Sequence, residues 1–262
     1  MIPFPEIDPV ALQIGPIGIR WYALAYIAGI VIGWRVARRL VVAPPAAGDA
    51  RQVDDFVTWA TLGIILGGRL GYVLFYRPGH YLQNPLEALM VWQGGMAFHG
   101  GALGVIVAAL LFCRSEKLNP LAFGDRIAVV VPIGLFFGRI ANFINGELWG
   151  RPATVPWAMV FPHDPLQLPR HPSQLDPAGL EGVALFLLML ALWAVPANRR
   201  RPGLLTGALI AGYGVARLVG EFFRQPDDNL GFLLAGATMG QLLSLPMVLI
   251  GLFLVLRARR AG

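Results

Sequence analysis

The chain carries little with which to do metal or redox chemistry of its own. Its one cysteine, Cys113, excludes an internal disulfide and a thiolate metal cluster. The four histidines, His80, His99, His163 and His171, include no pair at the i, i+4 spacing of a helical metal site. No metal and no cofactor is therefore expected. Internal repeats, low-complexity tracts and long disordered linkers are also missing. Nothing divides the sequence, and a single domain over 1–262 is expected.

Charge is scarce as well. Only 14% of residues are charged against 56% hydrophobic, and the mean hydropathy is +0.62. An ordinary soluble domain is excluded, and an integral membrane protein is indicated. The 21 Lys and Arg exceed the 15 Asp and Glu, for a net charge of +6. These cations are scattered among connections instead of forming one stripe, so nucleic acid is not an expected partner. The first 20 residues hold Glu6 and Asp8 but no basic residue before Arg20. They lack the positive n-region of a cleaved signal peptide, and the first apolar run is expected to stay in the mature protein.

What the chain has in abundance is apolar runs of roughly 17 to 20 residues, the length that carries a helix across ~30 Å of hydrocarbon. They recur at 19–37, 56–75, 96–112, 127–143, 179–195, 204–223 and 239–256. The expected fold is all-α, a polytopic membrane bundle of about seven transmembrane helices. Basic residues accumulate in short cytoplasmic loops. Arg35, Arg38, Arg39 and Arg51, then Arg114, Lys117 and Arg126, then Arg199, Arg200 and Arg201, and finally Arg257, Arg259 and Arg260 mark alternate connections. Arg77, Arg151 and Arg170 are the main cations of the other set. The N-terminus is therefore expected outside and the C-terminus in the cytoplasm. The long outer connection at about 145–174 is rich in Pro and holds Trp149 and Trp157, which suits a small extracytoplasmic cap at the lipid interface.

Polar residues inside the runs gather at one depth under this topology. Tyr22 begins the first run, Arg69 lies past the middle of the second, and His99 stands just inside the third. Arg139 and Asn142 close the fourth, His171, Ser173 and Gln174 precede the fifth, and Tyr213, Arg217, Glu221 and Arg224 occupy the outer half of the sixth. A charge at the bilayer centre costs at least ~2.5 to 3.5 kcal/mol, so such residues face a bundle interior or an aqueous cavity. The sixth run places its four at i, i+4, i+8 and i+11, within roughly 80° of helix circumference at about 100° per residue. Glu221 stands one turn from Arg217, where local pairing is available. Two readings follow: buried ion pairs that glue helices together, or a cationic site whose surplus arginine takes an outer-leaflet phosphate.

His99 lies in GGMAFHGGALG, where Gly94, Gly95, Gly100, Gly101 and Gly104 remove side-chain bulk. Small residues permit close helix approach, so a packing seam with a hydrogen-bonded histidine is one reading. A general base is the other, since imidazole takes a proton near neutral pH. His80 and His163 read as surface loop residues, and Ser173 reads as turn or capping chemistry rather than a nucleophile.

The segment GRIANFINGELWGRP, from Gly138, resembles the signature of the prolipoprotein diacylglyceryl transferase family, bacterial inner-membrane enzymes that lipidate lipoprotein precursors. The resemblance continues in family order through FPEIDP, WYALAY, GGRLGYVLFY, GGMAFHGG, RHPSQL, GYGVARLVGEFFRQPD and MGQLLSLPM. One departure stands out: family members usually have Tyr-Glu after HPSQL, where this chain has Asp176 and Pro177, a sound helix start. The resemblance implies transfer of a diacylglyceryl group from phosphatidylglycerol to the lipobox cysteine thiol of a prolipoprotein signal peptide. A thioether forms and glycerol phosphate leaves. It implies a multi-pass protein of the cytoplasmic (inner) membrane, surrounded by membrane lipids, with its site facing the outer leaflet. The catalytic residues expected are His99, Arg217, Tyr213 and Glu221: His99 matches the family histidine and is the candidate base, Arg217 matches a second essential arginine, and Tyr213 and Glu221 are orienting partners, with ionisation of the thiol by the arginine field as the alternative to a base. Arg139, Asn142, Glu147, Gly150, Arg224 and Tyr22 match substrate-binding positions.

A transporter would instead spread polar residues through the full bilayer depth and often repeat its halves. A scaffold would use them for assembly alone.

Overall fold

The computed structural model describes residues 2–5, 7–225 and 236–260. Glu6 and, in the FRQPD segment, Pro226 and Asp227 lie outside the described residues. A hairpin comes first, β1 (Val10–Ile14) against β2 (Ile17–Arg20), turned at Gly15 with φ of 57°. Then come α1 (Trp21–Val41), α2 (Ala50–Phe75), α3 (Pro78–Gln83) and two single 3-10 turns at Pro85–Leu89 and Val91–Gln93. They are followed by α4 (Phe98–Ser115), α5 (Pro120–Ile144), β3 (Met159–Val160) and β4 (Pro169–Arg170). Next are α6 (Leu175–Pro177), a π-helical stretch at Ala178–Ala184, α7 (Leu185–Ala194), α8 (Pro196–Arg199), α9 (Leu204–Gly220) and α10 (Met239–Arg260).

The chain is mainly helical, as expected, with two small antiparallel β pairs added among the described residues. Ala50–Phe75, Pro120–Ile144, Leu175–Ala194 and Met239–Arg260 are long and apolar enough to cross a membrane. His99–Ser115 and Leu204–Gly220 are apolar but shorter. Helix α1 has 21 residues, but Trp21 and Tyr22 at its start and Arg35, Arg38 and Arg39 toward its end dilute its hydropathy. The run expected at 204–223 ends as a helix at Gly220, because the residues beyond it pair with a distant segment described below. Two compact units are present, Arg38–Gly124 and Met1–Ala37 with Asp125–Gly262.

In the first unit, α2 and α4 meet along glycines. A Cβ on Gly67 would lie 2.3 Å from the Gly100 carbonyl oxygen, and one on Gly104 would lie 2.0 Å from that of Gly63. Leu62, Leu66, Leu70 and Leu74, each one residue before or three after a glycine of that seam, are 53–60% exposed. Small residues thus face the partner helix and large ones face outward, the arrangement that lipid solvent favours. The glycine-rich reading of the His99 segment as a packing seam holds for Gly100 and Gly104. Phe56, Phe112 and Phe123 form an aromatic cluster with centroids 5.3–5.6 Å apart at the other end of this unit.

In the second unit, α9 and α10 use the same device: a Cβ on Gly251 would stand 2.4 Å from the Ala211 nitrogen. Helix α9 is started by a carboxylate from another helix. Asp125 of α5 accepts from Gly203 N at 2.9 Å and from Thr206 N and Oγ1 at 2.7 Å each. It therefore meets donors that a helix N-terminus leaves without intrahelical partners. Two guanidinium groups lie over the Trp193 ring, Arg126 at 4.6 Å and Arg199 at 5.0 Å from the ring centroid. These two cations, expected as cytoplasmic loop charges, pack on an aromatic side chain.

Candidate active site

The site grows from the end of α5. Arg139 and Asn142 are three residues apart and share a helix face. Past Ile144 the chain reverses through Gly146 (φ 63°) and Leu148 (φ 59°). The Gly146 nitrogen donates to Phe143 O at 2.9 Å and that of Glu147 to Asn142 O at 3.1 Å. This reversal returns Glu147 to the helix, where its Oε1 accepts from Asn142 Nδ2 at 2.7 Å. Tyr22, at the start of α1, lies within electrostatic reach of Glu147 and Arg139. Four residues expected to bind substrate, Tyr22, Arg139, Asn142 and Glu147, are therefore brought together.

The partner of Arg139 is a residue the sequence reading missed. Glu181 Oε2 accepts from Arg139 Nε at 3.1 Å and from Nη2 at 2.9 Å. Glu181 is fully buried, at 0% exposed, and sits in the π-helical stretch. A π turn packs one extra residue and is frequent at functional sites. Gly182, next to it, lets this stretch approach α5: a Cβ there would lie 2.7 Å from Phe136 Cβ. The signal was a lone carboxylate in the apolar run 179–195, which the rule for intramembrane charge makes a functional candidate.

Helix α9 delivers the second pair. Tyr213 is within electrostatic reach of Arg139, Arg217, Arg224 and Glu181. Arg217 forms an ion pair with Glu221 one turn later. Its Nη1 is buried and has no hydrogen-bond partner among the described residues. Glu221 Oε2 accepts from Thr238 Oγ1 at 2.6 Å. Thr238 in turn accepts from Gln241 N at 3.2 Å, and Gln241 Oε1 accepts from Thr238 N at 3.0 Å, a reciprocal cap on α10. A Cβ on Gly240 would stand 2.6 Å from the Glu221 carboxyl, so a glycine is required for Glu221 to reach this place.

The helical stripe expected for Tyr213, Arg217, Glu221 and Arg224 is corrected at its end. Helix α9 stops at Gly220, and Arg224 pairs with Gly150 in an antiparallel bridge. Arg151 fixes this turn: its backbone nitrogen donates to Phe223 O at 3.0 Å, its Nε to Arg224 O at 3.0 Å and its Nη2 to Glu221 O at 3.4 Å. These contacts span 70 to 73 residues of sequence, which local helical periodicity does not report. Gly150 is squeezed between two backbone segments, since a Cβ would lie 2.6 Å from both His171 O and Phe223 O.

The cap over this region is ordered by side chains. Arg170 donates from Nε to Asp164 Oδ2 at 2.6 Å and from Nη2 to Oδ1 at 3.0 Å, and both residues are buried. The Arg170 guanidinium hydrogen-bonded to Asp164 holds that carboxyl below the usual carboxylate range. Gln174 Nε2 donates to Glu147 O at 2.6 Å and Ser173 Oγ to Leu148 O at 3.2 Å, tying the RHPSQL segment to the signature loop. Ser173 serves as a loop tether, not as a cap of α6. His171 stacks on Phe223, and its Nε2 lies 2.7 Å from Oδ2 of Asp176, one of the two residues that depart from the family pattern.

In the other unit, His99 occupies the first turn of α4 and is exposed. Arg69, which the sequence reading grouped with the converging polar residues, is instead consumed by backbone. It donates to the carbonyls of Ala88 at 2.9 Å, Glu87 at 2.5 Å, Gly95 at 3.3 Å and Gly94. Its guanidinium also lies over the Tyr81 ring at 5.3 Å. Arg69 organises the connection between α2 and α4.

Relatives match this chain over nearly its whole length. The sequence profile of the family described as prolipoprotein diacylglyceryl transferase matches residues 9–257. A phosphatidylglycerol–prolipoprotein diacylglyceryl transferase of Azospirillum brasilense is 64% identical over 260 residues, covering 99% of this chain and 97% of the relative. The protein of the same name from Paramagnetospirillum magneticum is 63% identical over 260 residues, covering 99% and 96%. That from Rhodospirillum rubrum is 59% identical over 263 residues, covering 99% and 95%. With nearly its whole length matched by the family profile and by these relatives, the chain belongs to the prolipoprotein diacylglyceryl transferase family.

Proposed function

We propose that the Arg139–Glu181 and Arg217–Glu221 pairs form the phosphate end of a site that moves a diacylglyceryl group from phosphatidylglycerol to the lipobox cysteine of a prolipoprotein. The activity is that named for the relatives, the first step of lipoprotein maturation. In this reaction the substrate sulfur forms a bond to the glyceryl carbon, the carbon–oxygen bond to phosphate breaks, and glycerol phosphate leaves with the electron pair. The thiol proton goes to a base. The observation that best supports the reading is a buried guanidinium donor, Arg217 Nη1, without a hydrogen-bond partner among the described residues, in a pair only 15% and 4% exposed. A phosphate oxygen is a fitting acceptor, and charge developing on the leaving phosphate is stabilised by guanidinium groups already fixed in place.

Tyr22, Arg139, Asn142 and Glu147 suit headgroup binding, while Gly150 and Arg224 shape its edge. Tyr213 and Glu221 orient the arginines. The proton falls to His99, supported by its imidazole chemistry and its place in GGMAFHGG, because a free thiol with pKa near ~8.5 needs help to ionise at neutral pH. The whole chain acts as one domain of the bacterial inner membrane, N-terminus outside and C-terminus in the cytoplasm, with its site facing the outer leaflet. Incubating purified protein with phosphatidylglycerol and a lipobox peptide tests this. A peptide mass increased by one diacylglyceryl group is expected, and an unchanged mass would end the reading.

A further inference from the structure

Among the described residues, the side chain of Arg139 hydrogen-bonds to one oxygen of one carboxylate. Glu181 Oε2 takes both Nε, at 3.1 Å, and Nη2, at 2.9 Å, so the carboxylate lies against one edge of the planar guanidinium. A guanidinium has a second edge, Nη1 with Nη2, that matches phosphate in the same forked way. The two partners differ in depth: the Glu181 side chain is 0% exposed and that of Arg139 17%. The carboxylate is therefore the buried end of the pair and the arginine its accessible end. Glu181 Oε1 is buried and makes no hydrogen bond among the described residues, so the carboxylate is not shared with a second donor there. The backbone beneath it is widened by the π-helical stretch Ala178–Ala184, and Gly182 lets that stretch close on Phe136 of α5, the helix that carries Arg139.

From these facts we infer that Glu181 is a positioning residue of the transfer reaction: it occupies the Nε edge of Arg139 and so fixes the other edge toward the phosphate of the lipid donor. The inference rests on the reading of the site as a diacylglyceryl transferase. The Arg217–Glu221 pair, joined through Nη2, shows the same difference in depth, with a side chain 15% exposed on the cation and 4% on the carboxylate, and there the carboxylate is itself held by Thr238. Two guanidinium groups on different elements are thus each paired with a more deeply buried carboxylate. Tyr213 lies within electrostatic reach of both cations and of Glu181.

The test is steady-state transfer by the full-length, detergent-solubilised protein from phosphatidylglycerol in mixed micelles to a lipobox peptide, read by peptide mass. Glu181→Gln keeps the Arg139 charge, so KM for the lipid is expected to stay within about threefold while kcat falls by about 30-fold, as for a misaligned catalytic group. In an Arg139→Gln background the same Glu181→Gln change is expected to cost nothing further, because a residue that acts through another has no effect once the other is gone. Unchanged kcat in folded Glu181→Gln, a raised KM with kcat retained, or an additive loss in the double variant each overturns the inference. If Glu181→Gln does not fold, Glu181→Asp replaces it. That variant keeps the charge but withdraws the carboxylate by one methylene, and the same fall in kcat without a rise in KM is expected. Failure of both single variants to fold, with a folded double variant, would mark Glu181 as a counter-charge only and also overturn it. Wild type separates the two levels: no product from wild type defeats the transferase reading, whereas full turnover by both wild type and Glu181→Gln defeats only the positioning role.

Discussion

Thr238 donates to Glu221 at 2.6 Å while Glu221 pairs with Arg217, so the cap of one membrane helix holds the carboxylate that sets an arginine on the next. The link is short, and it is made of groups that a single methyl disturbs. Gly240→Ala places a Cβ 2.6 Å from the Glu221 carboxyl oxygen. It is expected to lower transfer by at least ~tenfold, through misplacement of Arg217, with helix content retained. Thr238→Ser keeps the hydroxyl and should stay within about threefold of wild type, whereas Thr238→Val should approach the glycine variant. Equal activity for Ser and Val in a peptide-mass assay would remove Thr238 from the chain of contacts.

Arg139→Lys retains the charge but not the fork. A lysine ammonium cannot serve Glu181 along one edge and phosphate along another in a plane. A loss of ~100-fold or more in kcat/KM is expected. Wild-type turnover in that variant would refute specific guanidinium recognition.

The cap has its own pH signature. Because Arg170 lowers the folded-state pKa of Asp164 below its unfolded value, the pair contributes stability that is present above about pH 4, the ordinary carboxylate pKa. That stability is lost as pH falls through the lower folded value. Asp164→Asn is expected to cost about 3–5 kcal/mol at pH 7, as for a buried pair stripped of one partner. The gap in melting temperature between variant and wild type should narrow below about pH 4. A gap independent of pH would show that the Asp164 charge plays no part.

His99→Gln is expected to fold and to bind phosphatidylglycerol but to transfer slowly, and raising the pH toward the thiol's own pKa near ~8.5 should recover part of the rate. A variant with a reduced rate and the same pH profile as wild type would move the base elsewhere, or leave the arginine field to ionise the thiol.

Cysteines placed at the exposed residues Ala46 and Ala197 should be shielded from an impermeant thiol reagent in intact cells, and one at Gln167 should react, in a background of Cys113→Ser. That background itself should retain turnover, since the nucleophilic sulfur belongs to the substrate. The reverse labelling pattern would place the cap in the cytoplasm.

Much of the site was legible in residue spacing. Arg139 with Asn142, and Arg217 with Glu221, declare their shared faces through i+3 and i+4 separations, and the structure joins each to the expected neighbourhood. Arg224 was not legible in the same way. Periodicity continues the helix through it, but Gly150 and Arg151, more than 70 residues away, pull the chain off the helix after Gly220. Glu181 was visible as a lone carboxylate in an apolar run, but its pairing with Arg139 was not, because it lies in a π-helical stretch to which an assumed α period is blind. The seven expected spans resolve into helices of unequal length for a related reason: hydropathy counts residues, whereas caps such as Asp125 at the start of α9 decide where a helix begins.

The glycine seam of α2 reverses the usual relation between side-chain volume and tolerance. In a water-soluble helix the large apolar positions are the ones that cannot be trimmed. Here Leu62, Leu66, Leu70 and Leu74 point away from the protein, and shortening any of them to alanine removes little that the fold uses. Adding one methyl at Gly67 instead drives a carbon to 2.3 Å from the Gly100 carbonyl and wedges α2 from α4 just below the turn that carries His99. Along this helix the smallest atoms added, not the largest removed, are the ones the enzyme would feel.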